Sequence, residues 1–258
     1  MEDFKAMMKP LLSKKSVCRL LILFFLTIVG SGLVGCRTRS FLSTKQEVAL
    51  GREGSRQIEQ DYKVDISSPD AERVKKIGAR ILPHVDQREV PYSFKVLESP
   101  EINAVSLPGG PIYIFRGLID LLGEEDDDAL ACVIGHEIGH VNGRHAARQI
   151  SSQLLTSLLI GFGVPGGTNQ DLARIAAGLI TLRYSREDEL DADRRGLSYA
   201  YYAGYDPNGM IRVFKKFEQV ERRMGGERNE WLRSHPLNTS RLDRTEVLIE
   251  NKNYRYGK

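Results

Sequence analysis

His136-Glu137-Ile138-Gly139-His140 constrains this chain more than any other stretch. Positions four apart on an α-helix lie about 40° around the axis and about 6 Å along it. Both imidazoles then reach from one face toward one metal ion, with the glutamate carboxylate beside them. Two neutral nitrogen ligands and a carboxylate able to take a proton from water are the parts of a zinc hydrolase. Leu121, Leu122, Leu130, Val133, Ile134, Ile138 and Val141 recur at helical spacing, which predicts that the motif sits on a largely buried helix. The acidic run Glu124-Glu125-Asp126-Asp127-Asp128 suits the start of that helix, where negative charge complements the dipole. It lacks the spacing of a calcium loop.

A catalytic zinc needs a third protein ligand and an open position. His145 does not fit the extended H-E-x-x-H-x-x-G-x-x-H pattern: Gly143 is in place, but the last position is Ala146. On a continuous helix His145 points about 140° away from His140, which makes it a surface residue or a support for the site. Further on, Glu189 and Asp193 are again four apart on a helical stretch, Ser185 to Asp193. Glu189 is expected to bind zinc, and Asp193 to hold a ligand histidine through its outer ring nitrogen. A solvated charged helix is the competing reading of the same run.

His136-Glu137-x-x-His140 followed by Ser185-Arg186-x-x-Glu189-x-x-Ala192-Asp193 resembles the membrane-associated zinc metallopeptidases, the family of the CAAX prenyl protease, HtpX, BepA and LoiP. Asn103-Ala104-x-x-x-Pro108-Gly109-Gly110-x-Ile112 is similar to that family's strand-turn-strand, and His235-Pro236 with Arg241 to its late element. The resemblance runs from about Glu47 to about Arg241. It implies a predominantly helical α+β zincin domain with one Zn2+, ligands His136, His140 and Glu189, and Glu137 as general base. It also implies that His235 stands near the metal, either donating to the oxyanion or filling the open position at rest. Arg241 would orient that loop or bind a substrate carbonyl. Asn103 to Ile114, with Asn103 and Ala104 at its start, alternates around Pro108-Gly109-Gly110; an edge strand there could pair with an extended substrate backbone, and an ordinary β-hairpin of the core is the other reading.

The chain begins with a second kind of signal. Lys9, Lys14, Lys15 and Arg19 precede a 15-residue apolar run, Leu20 to Val34. That is short of the ~20 residues that span a bilayer, and it fits a secretory leader. Leu33-Val34-Gly35-Cys36 resembles the bacterial lipobox, which implies cleavage before Cys36 and its lipidation. Arg37, in place of the aspartate that marks inner-membrane retention, points to the outer membrane. An uncleaved signal anchor is the alternative. The full sequence has 37 basic and 34 acidic side chains, but residues 1–35 hold five of the former and two of the latter, leaving 32 of each. The basic balance is therefore a property of the leader, and nothing argues for nucleic acid. Cys18 leaves with the leader, Cys36 would be lipidated, and Cys132 remains on the apolar helix, so no disulfide forms within the mature monomer.

The organisation expected is a leader at 1–35, a lipidated cysteine and tether at 36–46, one metallopeptidase domain at 47–250 and a tail at 251–258. Thr44-x-x-Glu47 predicts a capping box, Ser68-Pro69 a helix start with Val74, Ile77, Ile81 and Leu82 on one face and Pro83 closing it, and Tyr92, Phe94 and Val96 a strand. Ile150 to Phe162 is apolar and leads into the glycine-rich stretch 161–167, a lid or membrane contact if it is not a core helix. Asp206-Pro207 opens a late helix to about Met224. No repeat of ~34 residues is legible, nor room for one after Arg241, which favours the compact lipoprotein members. The chain is thus expected to be a periplasm-facing, lipid-anchored zinc metalloendopeptidase acting on unfolded or misassembled envelope proteins. A zinc-stabilised, non-cutting assembly factor and a zinc hydrolase of peptidoglycan are the competing readings.

Overall fold

The computed structural model describes residues 40–86, 89–159, 175, 178–179, 182–223, 230–237 and 239–251. The leader, Cys36, the glycine-rich stretch 161–167 and most of the tail lie outside the described residues. Helix α1 (Thr44–Asp61) is capped one residue earlier than expected: Ser43 accepts from the Gln46 N–H at 3.3 Å and Gln46 returns the bond to the Ser43 N–H at 2.8 Å. Glu47 is buried and pairs with Arg144. Strand β1 (Val64–Asp65) follows, then α2 (Pro69–Ile81), which Ser68 caps by accepting from the Ala71 N–H at 3.1 Å. The expected face of α2 is the buried one, and a 3-10 turn over Leu82–His84, carrying Pro83, ends it.

Strands β2 (Ser93–Leu97), β3 (Ala104–Ser106) and β4 (Pro111–Phe115) complete a four-stranded sheet of order β1-β2-β4-β3. The turn at Pro108-Gly109-Gly110 makes β3 and β4 an antiparallel hairpin, while β2 pairs β4 in parallel. β3 is therefore a sheet edge. Helix α3 (Arg116–Leu122) leads to α4 (Asp127–Asn142), with Asp126 as N-cap and Asp127 and Asp128 in the first turn. The acidic run does begin a helix, although Leu121 and Leu122 belong to the preceding one.

Ala129 to Val141 are all buried on α4, as befits a helix packed on every side. It lies against α2, β3, α6 (Arg186–Tyr202) and α7 (Asn208–Arg223). Each Leu or Ile so buried is worth about 1.5–3 kcal/mol, so the site-bearing helix is also the centre of the main core. Helix α5 (His145–Leu159) takes in the start of the apolar stretch, and α8 (Glu230–Ser234) and α9 (Thr239–Glu250) close the described fold. The result is the expected α+β domain, mostly helical with one small sheet. No helix among the described residues is long and apolar enough to cross a membrane.

Candidate metal centre

The two motif helices meet backbone to backbone. A Cβ on Gly139 of α4 would lie 2.8 Å from the Ala192 carbonyl oxygen of α6, and one on Gly196 would lie 2.5 Å from the His136 nitrogen. Only glycine permits this approach. It carries the first two turns of α6, which Ser185 caps, directly over His136 and His140. Glu189 and Asp193 are both buried there, not solvated.

His136, His140, Glu189 and His235 each offer one atom to a cluster spanning no more than 4.8 Å. His140 Nε2 is 3.0 Å from His136 Nε2 and 3.3 Å from Glu189 Oε1. His235 Nδ1 is 3.2 Å from His136 Nε2 and 3.0 Å from Glu189 Oε1. Burial holds His140 well below the usual imidazole range, so it is a neutral donor. Burial opposes the ionisation of Glu189, but Arg241 and His235 outweigh it and hold that carboxyl well below its ordinary value. Converging imidazole nitrogens and one carboxylate, sealed from water, are a donor set suited to zinc. Glu137 sits beside them fully buried. Neither of its carboxylate oxygens has a hydrogen-bond partner, and His235 Nε2 is 3.6 Å away.

Asp193 lies beside His136. Its Oδ1 approaches His136 Nδ1 at 2.8 Å, although the ring N–H is not lined up for a hydrogen bond. Arg241, entirely buried, donates to both Asp193 oxygens at 2.7 Å, pairs with Glu189 at 2.6 Å and donates to the His235 and Pro236 carbonyls. Arg241 thus ties Asp193, Glu189 and the His235-Pro236 backbone together. Asn103 and Ala104 are buried too, the Asn103 Oδ1 accepting from the Ala104 N–H at 2.9 Å.

His145 departs from the continuous-helix expectation. The helix breaks after Asn142, with Arg144 at φ 57°, and His145 folds back so that its Nδ1 is 2.8 Å from His140 Nδ1. It is outside the donor cluster. Gly143 closes that helix in the right-handed region, and Arg144 takes the left-handed turn. Two aromatic rings complete the surroundings of the cluster. Tyr184 stacks on the His140 ring at 3.9 Å, and nothing in its spacing announces it. Trp231 stacks on His235 at 4.9 Å, and its place four residues earlier was a usable signal.

The family model described as peptidase family M48 matches residues 68–248. The beta-barrel assembly-enhancing protease of Escherichia coli (strain K12) is 27% identical over 221 residues, covering 81% of this chain and 45% of that protein. Metalloprotease YcaL of the same strain is 26% identical over 220 residues, 83% of each chain. The mitochondrial metalloendopeptidase OMA1 of Saccharomyces cerevisiae is 26% identical over 253 residues, 91% of this chain and 73% of that one. The chain thus spans less than half the length of the beta-barrel assembly-enhancing protease it matches.

Proposed function

The chain belongs to peptidase family M48, and from that premise we propose that it is a zinc metalloendopeptidase of the bacterial envelope. Its ligands would be His136, His140 and Glu189, and the bound zinc supplies a Lewis acid for the scissile carbonyl and lowers the pKa of water toward neutrality. The observation that carries the reading is Glu137. A buried carboxylate with no hydrogen-bond partner costs several kcal/mol; a site that only binds has no use for it. As general base it takes the proton of the attacking water and returns it to the leaving amine.

His235 places Nδ1 among the donors, where substrate or water would have to enter. This supports a resting arrangement in which His235 fills the open position. Withdrawal of the His235-Pro236 loop would open the site. The β3 edge, which Asn103 precedes and Ala104 begins, is suited to pair with an extended substrate backbone. Lipidation at Cys36 and an outer-membrane, periplasm-facing location rest on the leader, and unfolded or misassembled envelope proteins as substrates rest on the relative named for β-barrel assembly. A Cys36→Ser variant should leave the membrane fraction.

The test is hydrolysis of a casein by the zinc-loaded protein beside Glu137→Gln and His235→Ala. Glu137→Gln should keep stoichiometric zinc and lose activity by about 10²–10⁴-fold, while His235→Ala should cut faster than wild type. If neither wild type nor His235→Ala cuts with zinc bound, the non-cutting assembly-factor reading replaces this one.

A further inference from the structure

His140 has two ring nitrogens and only one of them faces the donor cluster. Its Nε2 points to His136 and Glu189, and its Nδ1 points the other way, to His145 Nδ1 at 2.8 Å. The far nitrogen of His145, Nε2, is 3.1 Å from Asp191 Oδ2. Asp191 is itself held by Arg195, whose Nε donates to the same oxygen at 2.9 Å. His145 is fully buried, so water does not compete for these bonds.

A neutral imidazole carries one N–H and one lone pair. For His140 to present a lone pair at Nε2, its proton must sit on Nδ1 and be donated to His145. His145 then has its lone pair at Nδ1 and its proton at Nε2, donated to Asp191. Every bond in the row His140–His145–Asp191 is satisfied by this one assignment. The opposite assignment aims the His140 proton at His136 and Glu189, which is incompatible with a metal there.

Two consecutive residues exist to seat His145. A Cβ on Gly143 would lie 2.3 Å from His145 Nε2, so no other residue leaves room for the ring. Arg144 then turns the chain through a positive φ that, among the described residues, no other non-glycine adopts. Side chains strained in this way persist only where the surroundings hold them. Here the Arg144 Nε donates to the buried Glu47 carboxylate at 2.7 Å and the guanidinium also donates to the Leu42 carbonyl. Helix α1 and the residues just before it thus brace the corner behind the metal centre.

We propose that His145 is a positioning residue that fixes the tautomer and orientation of His140, and that the Glu47–Arg144 clamp holds His145 in its seat. The inference rests on the zinc reading of the site and adds what sets that site's affinity. A ligand imidazole that loses the partner of its outer nitrogen loses metal affinity by about 10–100-fold.

The experiment is zinc affinity by competition with a chromophoric chelator, together with the cobalt(II) absorption spectrum, on the full chain. An asparagine at 145 can offer its Oδ1 where Nδ1 stood and still accept from His140. A glutamine reaches toward Asp191 but not toward His140. His145→Ala and His145→Gln should therefore weaken zinc by about 10–100-fold and alter the cobalt spectrum, whereas His145→Asn should stay within about threefold of wild type. Arg144→Ala should weaken zinc measurably and Arg144→Gly less so, since glycine takes the turn without strain. Melting temperatures of the metal-free variants separate affinity from folding. Unchanged affinity in His145→Ala overturns the proposal, and so does a loss in His145→Asn equal to that in His145→Ala. A wild type that takes up no zinc brings down the metal reading itself, and this inference with it.

Discussion

The two histidines of the motif are supported in opposite ways. His136 leans on Asp193, and Asp193 on Arg241, whose guanidinium lies over the Phe214 and Trp231 rings at 5.2 and 5.5 Å. That side is charged and shut in. His140 leans on a neutral imidazole, and the Asp191 beyond it keeps its side chain 10% exposed. The first brace is tied into the core, so its loss is felt by the whole fold. The second is tied to a chain corner and a wet rim, so its loss is felt mainly by the metal.

The largest effect that could break this contrast is on the charged side. Arg241→Ala leaves Asp193 and Glu189 buried without their cation, and should cost about 3–5 kcal/mol of stability in urea unfolding of the metal-free protein. A loss no greater than that of His145→Ala would mean the two braces are equivalent. Next comes Gly196→Ala, which forces α4 and α6 apart at His136. It should cost about 1–3 kcal/mol and weaken zinc uptake through both histidines together. Retained stability with weakened zinc would place the seam's role in the site alone.

The smallest effect is in pH, and it sharpens the contrast most cleanly. Burial holds His145 below the usual imidazole value. The unfolded chain therefore takes up that proton first, and stability of the metal-free protein should erode as pH falls below about 6.5. Burial raises Asp193, but Arg241 and His136 more than offset it and leave its pKa lowered. Its contribution is present above the unfolded value of about 3.9 and is lost only as pH falls through the lower folded value. Stability-versus-pH curves of His145→Asn and Asp193→Asn should thus flatten in separate windows, near pH 6 and below pH 4. Coincident changes would argue that the two sides titrate as one unit.

The same contrast explains what the sequence disclosed. Helix geometry puts His136 with His140, and Glu189 with Asp193, on one face each, while Glu137 is read from the motif between the two histidines and the second pair gains its meaning only beside the first. The Ser68 cap and the Gly109-Gly110 turn are equally local. The place of His145 is not legible locally, because it depends on a helix break held by Glu47, 97 residues before Arg144 in the chain. The capping box expected at Thr44 and Glu47 moved to Ser43 and Gln46 because Glu47 has that distant partner. Parallel pairing of β2 with β4 and the stacking of Tyr184 on His140 are likewise tertiary facts. Periodicity carries no trace of them.

Helices that meet through long side chains can accommodate a change by altering rotamers. Gly135, Gly139 and Gly196 leave α4 and α6 no such cushion. The aperture between the histidine pair and Glu189 is then gauged by the polypeptide itself. Widening it beyond the reach of the donor side chains would have to move two helices of the main core.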